Sequence, residues 1–171
     1  MSRKTVCIER EYGSNGRKIA EWLSKKTGIP LYDKKALTQI AEENHLVPEN
    51  SVSEEKKIQE MHREAIKFLA DKESCIFVGR CADVVLKDHE NCYSFFIHSP
   101  LEERIKRIVE TEHVTERQAK KMIKQTDWER SSYHNYYTKQ KWGDPGNYDL
   151  MINSARTGIQ KAVEIIMDYV K

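Results

Sequence analysis

Short apolar runs alternate along the chain with longer stretches in which apolar residues recur every three or four positions. Thr5-Val6-Cys7-Ile8 is the first run and predicts a short buried strand. Ile19, Ala20, Trp22 and Leu23 then share one side of a helix from about Arg17 to Lys26, with Gly28 as its stop. Ile29 to Asp33, broken by Pro30, allows only a brief second strand, and Lys34 to Glu43 returns to helical spacing through Leu37, Ile40 and Ala41. The periodicity lapses over Leu46 to Ser53. The longest helical pattern follows, from Ser53 to Asp71, carried by Ile58, Met61, His62, Ala65, Ile66 and Leu69. Cys75 to Val78 predicts a third strand ended by Gly79, Ala82 to Leu86 a short helix, and Cys92 to His98 a fourth strand. Pro100 suits the start of a helix bearing Leu101, Ile105, Ile108 and Val109. Thr115-Glu116-Arg117-Gln118 has capping-box spacing, so another helix starts there and continues through Ala119, Met122 and Ile123 to about Tyr133. Beyond a turn at Gly143 to Asn147, Tyr148 to Ile152 is the fifth strand candidate, and Thr157 to Tyr169 closes the chain as a helix.

Strands of four to six residues separated by helices of ten or more argue for an α/β fold with a parallel sheet of five short strands. At 171 residues the chain fits one domain, residues 1–171, with a core covering about 70% of the extended surface. Persistent periodicity excludes collagen-like and disordered classes. No apolar run reaches ~18 residues, so no membrane span is expected, and the start lacks the apolar stretch of a secretory leader. A cytoplasmic setting is expected. The 29 Lys+Arg against 27 Asp+Glu leave a net charge of +2, without the basic surplus of a non-specific nucleic-acid binder. Cys7, Cys75, Cys81 and Cys92 form no CxxC pair and match no zinc spacing, even with His89 and His98 nearby. They read as small core residues.

Three segments carry candidate chemistry. Gly13-Ser14-Asn15-Gly16-Arg17-Lys18, between the first strand and the first helix, sits where backbone N–H groups meet a helix N-terminus and suit phosphate. It is not a Walker A loop: Glu11 stands at the first glycine, Arg17 at the lysine and Lys18 at the hydroxyl residue. Arginine keeps the charge in a forked geometry, but the magnesium-touching hydroxyl is gone. An ordinary glycine-containing turn is the plain alternative. Val78-Gly79-Arg80-Cys81-Ala82-Asp83 ends another strand, with Arg80 suited to a phosphate and Asp83 to magnesium, an arginine, a base amine or simply the positive helix end. The third is the basic region of Arg104, Arg107, Arg117, Lys120, Lys121, Lys124, Asp127 and Arg130, followed by Tyr133, Tyr136, Tyr137 and Trp142. It fits arginines closing on a phosphoryl group, or a solvated face in which Asp127 pairs with Arg130. The aromatics suit packing first and base stacking second. Asp33 faces an acceptor or caps the helix at Lys34, and His62 reads as a packed histidine.

Taken together, these segments resemble the cytidylate kinase-like family. Ile8-Glu9-Arg10-Glu11-Tyr12-Gly13-Ser14-Asn15-Gly16-Arg17 is similar to its opening I-S-R-E-Y-G-S-G-G-R, with Glu9 in place of serine and Asn15 in place of glycine. Ile29 to Lys34 resembles I-P-F-Y-D-K/R, Val78 to Asp83 matches V-G-R-C-A-D, and Asp127-x-x-Arg130, Tyr136-Tyr137, Trp142 and Tyr148 to Ser154 follow in order. The resemblance implies a P-loop nucleoside-monophosphate-kinase-like three-layer fold with a helical lid, here over residues 111–143. It implies that Gly13, Ser14, Asn15, Gly16, Arg17 and Lys18 cradle donor phosphates, with Arg156 near the donor base. Asp33, Arg80 and Asp83 face the acceptor, and Arg17, Arg80, Asp127 and Arg130 serve the transfer. The implied cofactors are ATP and Mg²⁺, and the implied partners are ATP and a pyrimidine nucleoside monophosphate, CMP or dCMP. Nucleic acid is not expected as a partner, and self-association is left open. Family members carry a longer stretch between the second and third helices. Here Glu49 to Glu54 cuts it short, at the region expected to hold much of the acceptor-binding subdomain. Three readings follow: a phosphotransferase, a nucleotide- or phosphate-binding regulatory protein on the same fold, and, ranked last, nucleic-acid binding through the Arg104–Arg130 basic region and the aromatics.

Overall fold

The structure is a computed structural model describing residues 2–171. Five parallel strands lie in the order β2-β3-β1-β4-β5: β1 Thr5–Arg10, β2 Leu31–Tyr32, β3 Cys75–Val78, β4 Cys92–His98 and β5 Leu150–Asn153. β1 runs down the middle, and alternate side chains leave it for opposite faces. Val6 and Ile8 join a layer with α1 (Gly16–Thr27) and α7 (Ser154–Tyr169), packed with Leu23, Ile76, Phe95, Ile152 and Ile166. Cys7 joins the opposite layer, where Phe77, Leu37, Ile66, Leu69 and Leu86 pack α2 (Lys34–Glu43), α3 (Glu54–Lys72) and α4 (Ala82–Val85) against the sheet. The two-residue alternation of the strands meets the helical periodicity on both sides, which produces three layers.

α5 (Leu101–Glu112) and α6 (Glu116–Thr138) stand apart as an antiparallel pair with their own apolar cluster of Ile105, Ile108, Ala119 and Ile123, supported by Tyr12. The capping box at Thr115 and Gln118 starts α6 as its spacing predicts. α6 continues past Tyr133 to Thr138. The last strand is displaced from its predicted start because Pro145–Asn147 forms a 3-10 turn that takes the Tyr148 N–H. Gly158, at φ 70 and ψ 178, interrupts α7, so the predicted helix from Thr157 corresponds to the part that packs on the sheet. Among the described residues no helix is long and apolar enough to cross a membrane.

All five strands end at the same sheet edge. The connection from β1 leads toward β2 and β3 on one side, while β4 and β5 lie on the other. The carboxyl end of β1 is thus where the strand order reverses, the usual ligand crevice of an open parallel sheet.

Phe77 is fully buried in the α2–α3 layer. Phe77→Ala is expected to cost about 3–5 kcal/mol through lost burial and a residual cavity. Urea denaturation followed by far-UV circular dichroism measures it.

Candidate functional site

The loop leaving β1 turns through Gly13 at φ 82 and Asn15 at φ 65, left-handed positions that asparagine tolerates better than most side chains. This explains how Asn15 stands where the related pattern has glycine. Gly16 opens α1 so close to Arg10 that an added Cβ would lie 2.3 Å from the Arg10 Cβ. The loop's carbonyls are turned toward protein donors. Gly13 O accepts from Arg107 Nη1, Ser14 O from the Ser154 hydroxyl at 2.5 Å, and Glu11 O from the Ser14 hydroxyl at 2.7 Å. The N–H groups of the first turn of α1 have no preceding helical carbonyl, so an anion suits that side of the loop.

A buried charge network holds the loop in this shape. Arg104 on α5 donates through Nη1 to Asp127 Oδ2 at 2.8 Å, pairs through Nη2 with Glu11 Oε2 at 3.3 Å, and donates through Nε to Ser99 O at 2.9 Å. Asp127 on α6 spends its other oxygen on the Tyr12 N–H, at 2.7 Å. The expected local pair of Asp127 with Arg130 therefore does not form. Arg130 instead donates to the Arg10 carbonyl at 3.1 Å and lies over the Tyr12 ring.

Beside the loop, a cavity of about 600 Å³ is lined by Arg10, Arg17, Lys34, Lys35, Arg80 and Arg130, with Asp33 and Glu42 as its acids. Arg17 donates through Nη2 to Asp33 Oδ2 at 2.9 Å and through Nε to Glu21 Oε1 at 3.0 Å. Asp33 also caps α2 through the Ala36 N–H at 2.9 Å. Asp33 therefore takes the expected cap role, and it also lines the cleft. Partial burial would raise its carboxyl pKa, but the Ala36 N–H and Arg17 outweigh that and hold it below the ordinary value. Arg80, left-handed at φ 57, lays its guanidinium on the Tyr133 ring, 3.9 Å from the centroid. Burial, and then the Arg10 guanidinium, pull Arg130 down to about 10, so it stays charged at neutral pH. His62 is buried and bonded to the Thr38 hydroxyl at 2.8 Å. Burial and the Arg80 and Lys34 charges push it down to about 4, leaving it neutral.

The cleft thus gathers Arg17, Asp33, Arg80 and Arg130 next to Gly13, Ser14, Asn15 and Gly16. Lys18 is exposed on α1, and Arg156 is exposed at the start of α7. Asp83 lies off the cleft, among Glu9, His134 and Tyr148. Its burial, and then the Glu9 carboxylate, raise it to about 6. Lys34 escaped the sequence reading as a site residue, though a signal exists. α1 and α2 have no acid in their first turns and begin with Arg17-Lys18 and Lys34-Lys35. α3, α5 and α6 begin with acids, as the helix dipole prefers. Cations at two positive helix ends are costly unless an anion joins them.

The loop and cleft fit the phosphates of a nucleotide. Its Gly13–Gly16 cradle has room for no further side chain at Gly16, its carbonyls point away, and basic side chains surround it. Among the described residues no cluster of three His, Cys, Asp or Glu forms a dedicated cation cage, which suits an ion carried largely on nucleotide phosphates with Asp33 as the nearby carboxylate.

The model of the cytidylate kinase-like family matches residues 5–156, and the chain belongs to this family. Its fold is that of P-loop nucleoside-monophosphate-kinase-like proteins. A crystallised uncharacterized protein from Eubacterium ventriosum ATCC 27560 is 34% identical, with 98% of each chain covered and a TM-score of 0.85. The fold also recurs in shikimate kinase from Bacteroides thetaiotaomicron (13% identity, 99% of each chain, TM-score 0.60). It recurs again in a gluconokinase from Sinorhizobium meliloti 1021 (13% identity, 99% of this chain and 95% of that one, TM-score 0.58). Among curated proteins no sequence matches the chain.

Two outcomes are expected. Arg104→Leu strands the Glu11 and Asp127 carboxylates without their partner, and should cost about 3–5 kcal/mol in urea denaturation. The Asp83 carboxyl, at about 6 in the folded chain against ~3.9 when unfolded, favours folding below its unfolded value. That contribution is lost as pH rises through 6. Asp83→Asn should therefore raise Tm by about 2–4 °C or more at pH 8 and leave it nearly unchanged at pH 4, measured by differential scanning fluorimetry.

Proposed function

We propose that the protein is an ATP-dependent phosphotransferase whose acceptor is a nucleoside monophosphate, CMP or dCMP. The observation that carries this reading is the pairing of two anion sites on one sheet edge: the β1–α1 loop, and the cleft of Lys34, Arg80 and Arg130 beside it, with Arg17 at their boundary. Family membership supports the donor, and the cations without carboxylate partners support a phosphate-bearing acceptor.

In this reading the N–H groups of Gly13 to Lys18 hold the donor phosphates. Arg17 swings from Asp33 to the transferring group, and Asp33 takes up the acceptor side. Lys34 and Arg80 fix the acceptor phosphate. Arg130, held by the Arg10 carbonyl, offsets charge that builds on the transferring oxygens. The Tyr133 ring, 3.9 Å from the Arg80 guanidinium carbon, holds that side chain beside the cleft. Asp127 acts through Arg104 by shaping the loop, and Asp83 through the packing under Gly79. A Mg²⁺ ion bound together with the nucleotide would supply charge neutralisation on the phosphate oxygens. Residues 111–143 of the one domain, 1–171, act as the lid. Their Thr126–Lys139 portion reaches over the cleft while Arg104 and Arg107 anchor the base of the helix pair, excluding water on closure. The four free thiols accord with a reducing, cytoplasmic setting.

One observation favours the alternative of a nucleotide-binding protein without turnover: Arg17, at the Walker lysine position, is engaged by both Glu21 and Asp33. A coupled assay with ATP, Mg²⁺ and CMP, dCMP, UMP or AMP separates the two. Turnover is expected with a pyrimidine acceptor, and Arg80→Ala should lower kcat/KM by about 100-fold or more. ATP binding by calorimetry without diphosphate product would overturn the kinase reading in favour of the binding protein.

A further inference from the structure

A second cavity of about 1130 Å³ adjoins the cationic cleft, and Lys34, Arg80 and Arg130 line both. Its far wall is one face of α6. Trp128 and Tyr136 are 64% and 67% exposed, and Val52, at the start of the opposite wall, is 89% exposed. Exposed aromatics scattered singly need no explanation, but here they gather in one hollow. Trp128, Ser132 and Tyr136 follow one another at helical steps of four, so the two rings stand about 12 Å apart along α6 with a small serine between them. Tyr136 and Tyr137 meet edge to face at 4.9 Å, Tyr137 lies 4.6 Å from Tyr133, and Tyr133 carries the Arg80 guanidinium. A chain of edge-on and tilted ring contacts therefore links the Arg80 guanidinium to the exposed end of the shelf.

We propose that this α6 shelf is the acceptor's base subsite: the planar base of the nucleoside monophosphate lies over Ser132 between Trp128 and Tyr136 while its phosphate is held by Lys34, Arg80 and Arg130. The proposal rests on the acceptor reading above and names the residues that set its specificity. It also accounts for the short 44–53 connection. The base is received by the helix on the lid side of the cleft, so no extended segment between α2 and α3 is needed to enclose it. The shelf offers the Trp128 ring to the base, the Tyr136 ring at its other end being faced by the Lys139 ammonium at 4.8 Å, with three neighbouring cations for the phosphate and a gap where a larger residue than Ser132 would obstruct. Carboxylates at the rim, Glu55 and Glu129, are available to amino groups on the ring.

The test compares CMP with ribose 5-phosphate, which carries the same phosphate and sugar but no base, by calorimetry on the full chain. Wild-type protein should bind CMP at least about tenfold more tightly than ribose 5-phosphate. In Trp128→Ala/Tyr136→Ala the gap should shrink to about threefold or less, with ribose 5-phosphate binding changed by no more than about twofold. Ser132→Leu should narrow the gap in the same way, and serves as the independent reading should the double variant fold poorly. An undiminished gap in the variants overturns the shelf while leaving the acceptor reading intact. Equal wild-type binding of the two ligands also overturns the shelf. Absence of binding by either ligand overturns the acceptor reading and the shelf together. Sedimentation of the same samples covers self-association. A loss of dimer in the double variant with an unchanged gap assigns the patch to a second copy of the chain and overturns the proposal.

Discussion

A buried guanidinium must find carboxylates, and Arg104 finds two that lie far apart in sequence, Glu11 and Asp127. The remaining geometry of the site depends on that requirement. Once Arg104 is satisfied, α5 lies against the end of β1, α6 is drawn over the same edge, and the Asp127 carboxylate takes the Tyr12 N–H. Such a network adds little net stability compared with apolar packing, because each charge must first be desolvated. What it provides is registration: the loop, two helices and the strand end are set relative to one another by directional bonds. The small apolar cluster of Ile105, Ile108, Ala119 and Ile123 fills the space behind it but carries no such directionality.

Around this frame the electrostatics are deliberately unbalanced. The chain's +2 conceals a sheet edge where Arg10, Arg17, Lys34, Arg80 and Arg130 converge. Two helices there begin with cations against their own dipoles, and Arg130 is depressed by burial and by Arg10. A protein whose only task was stability would place acids at those positions, as α3, α5 and α6 do. In the proposed reading, bound phosphates relieve this tension. Asp33 moderates it meanwhile by pairing with Arg17 while capping α2, so one carboxylate offsets a cation and ends a helix at once.

Much of this was legible before any coordinates. β3 and α2 match their predicted limits, because a bounded apolar run and a capped amphipathic stretch are local properties. The turn between β1 and α1 was legible through its glycines and its place between a strand and a helix, and Asn15 occupies a left-handed position that explains its tolerance. Lys34 was not picked out, although the cation-first start of α2 marks it. Partner choice was not legible at all. Asp127 and Arg130 sit three apart on one helix and look like a pair. The buried Arg104, brought in from α5, competes for Asp127 and wins because it has less water to compensate it. Asp83 likewise reads as a site residue from its place after Gly79-Arg80, yet it faces inward to Glu9 because Arg80 and Cys81 both take left-handed backbone conformations there.

The sequence by itself determined the elements, their alternation into a parallel three-layer sheet, the loop that can meet a phosphate and the family that the motifs mark. Only the tertiary structure decided which charges pair, which arginines remain open to an anion, and that the aromatics of α6 and the turn after it divide, Trp142 packing on Phe96 while Trp128 and Tyr136 line the cavity beside the cleft. The physical reason is range. Periodicity, caps and turns are settled among neighbours a few residues apart. The pairing of a buried charge and the exposure of a ring depend on whichever distant segment the fold brings within a few ångströms.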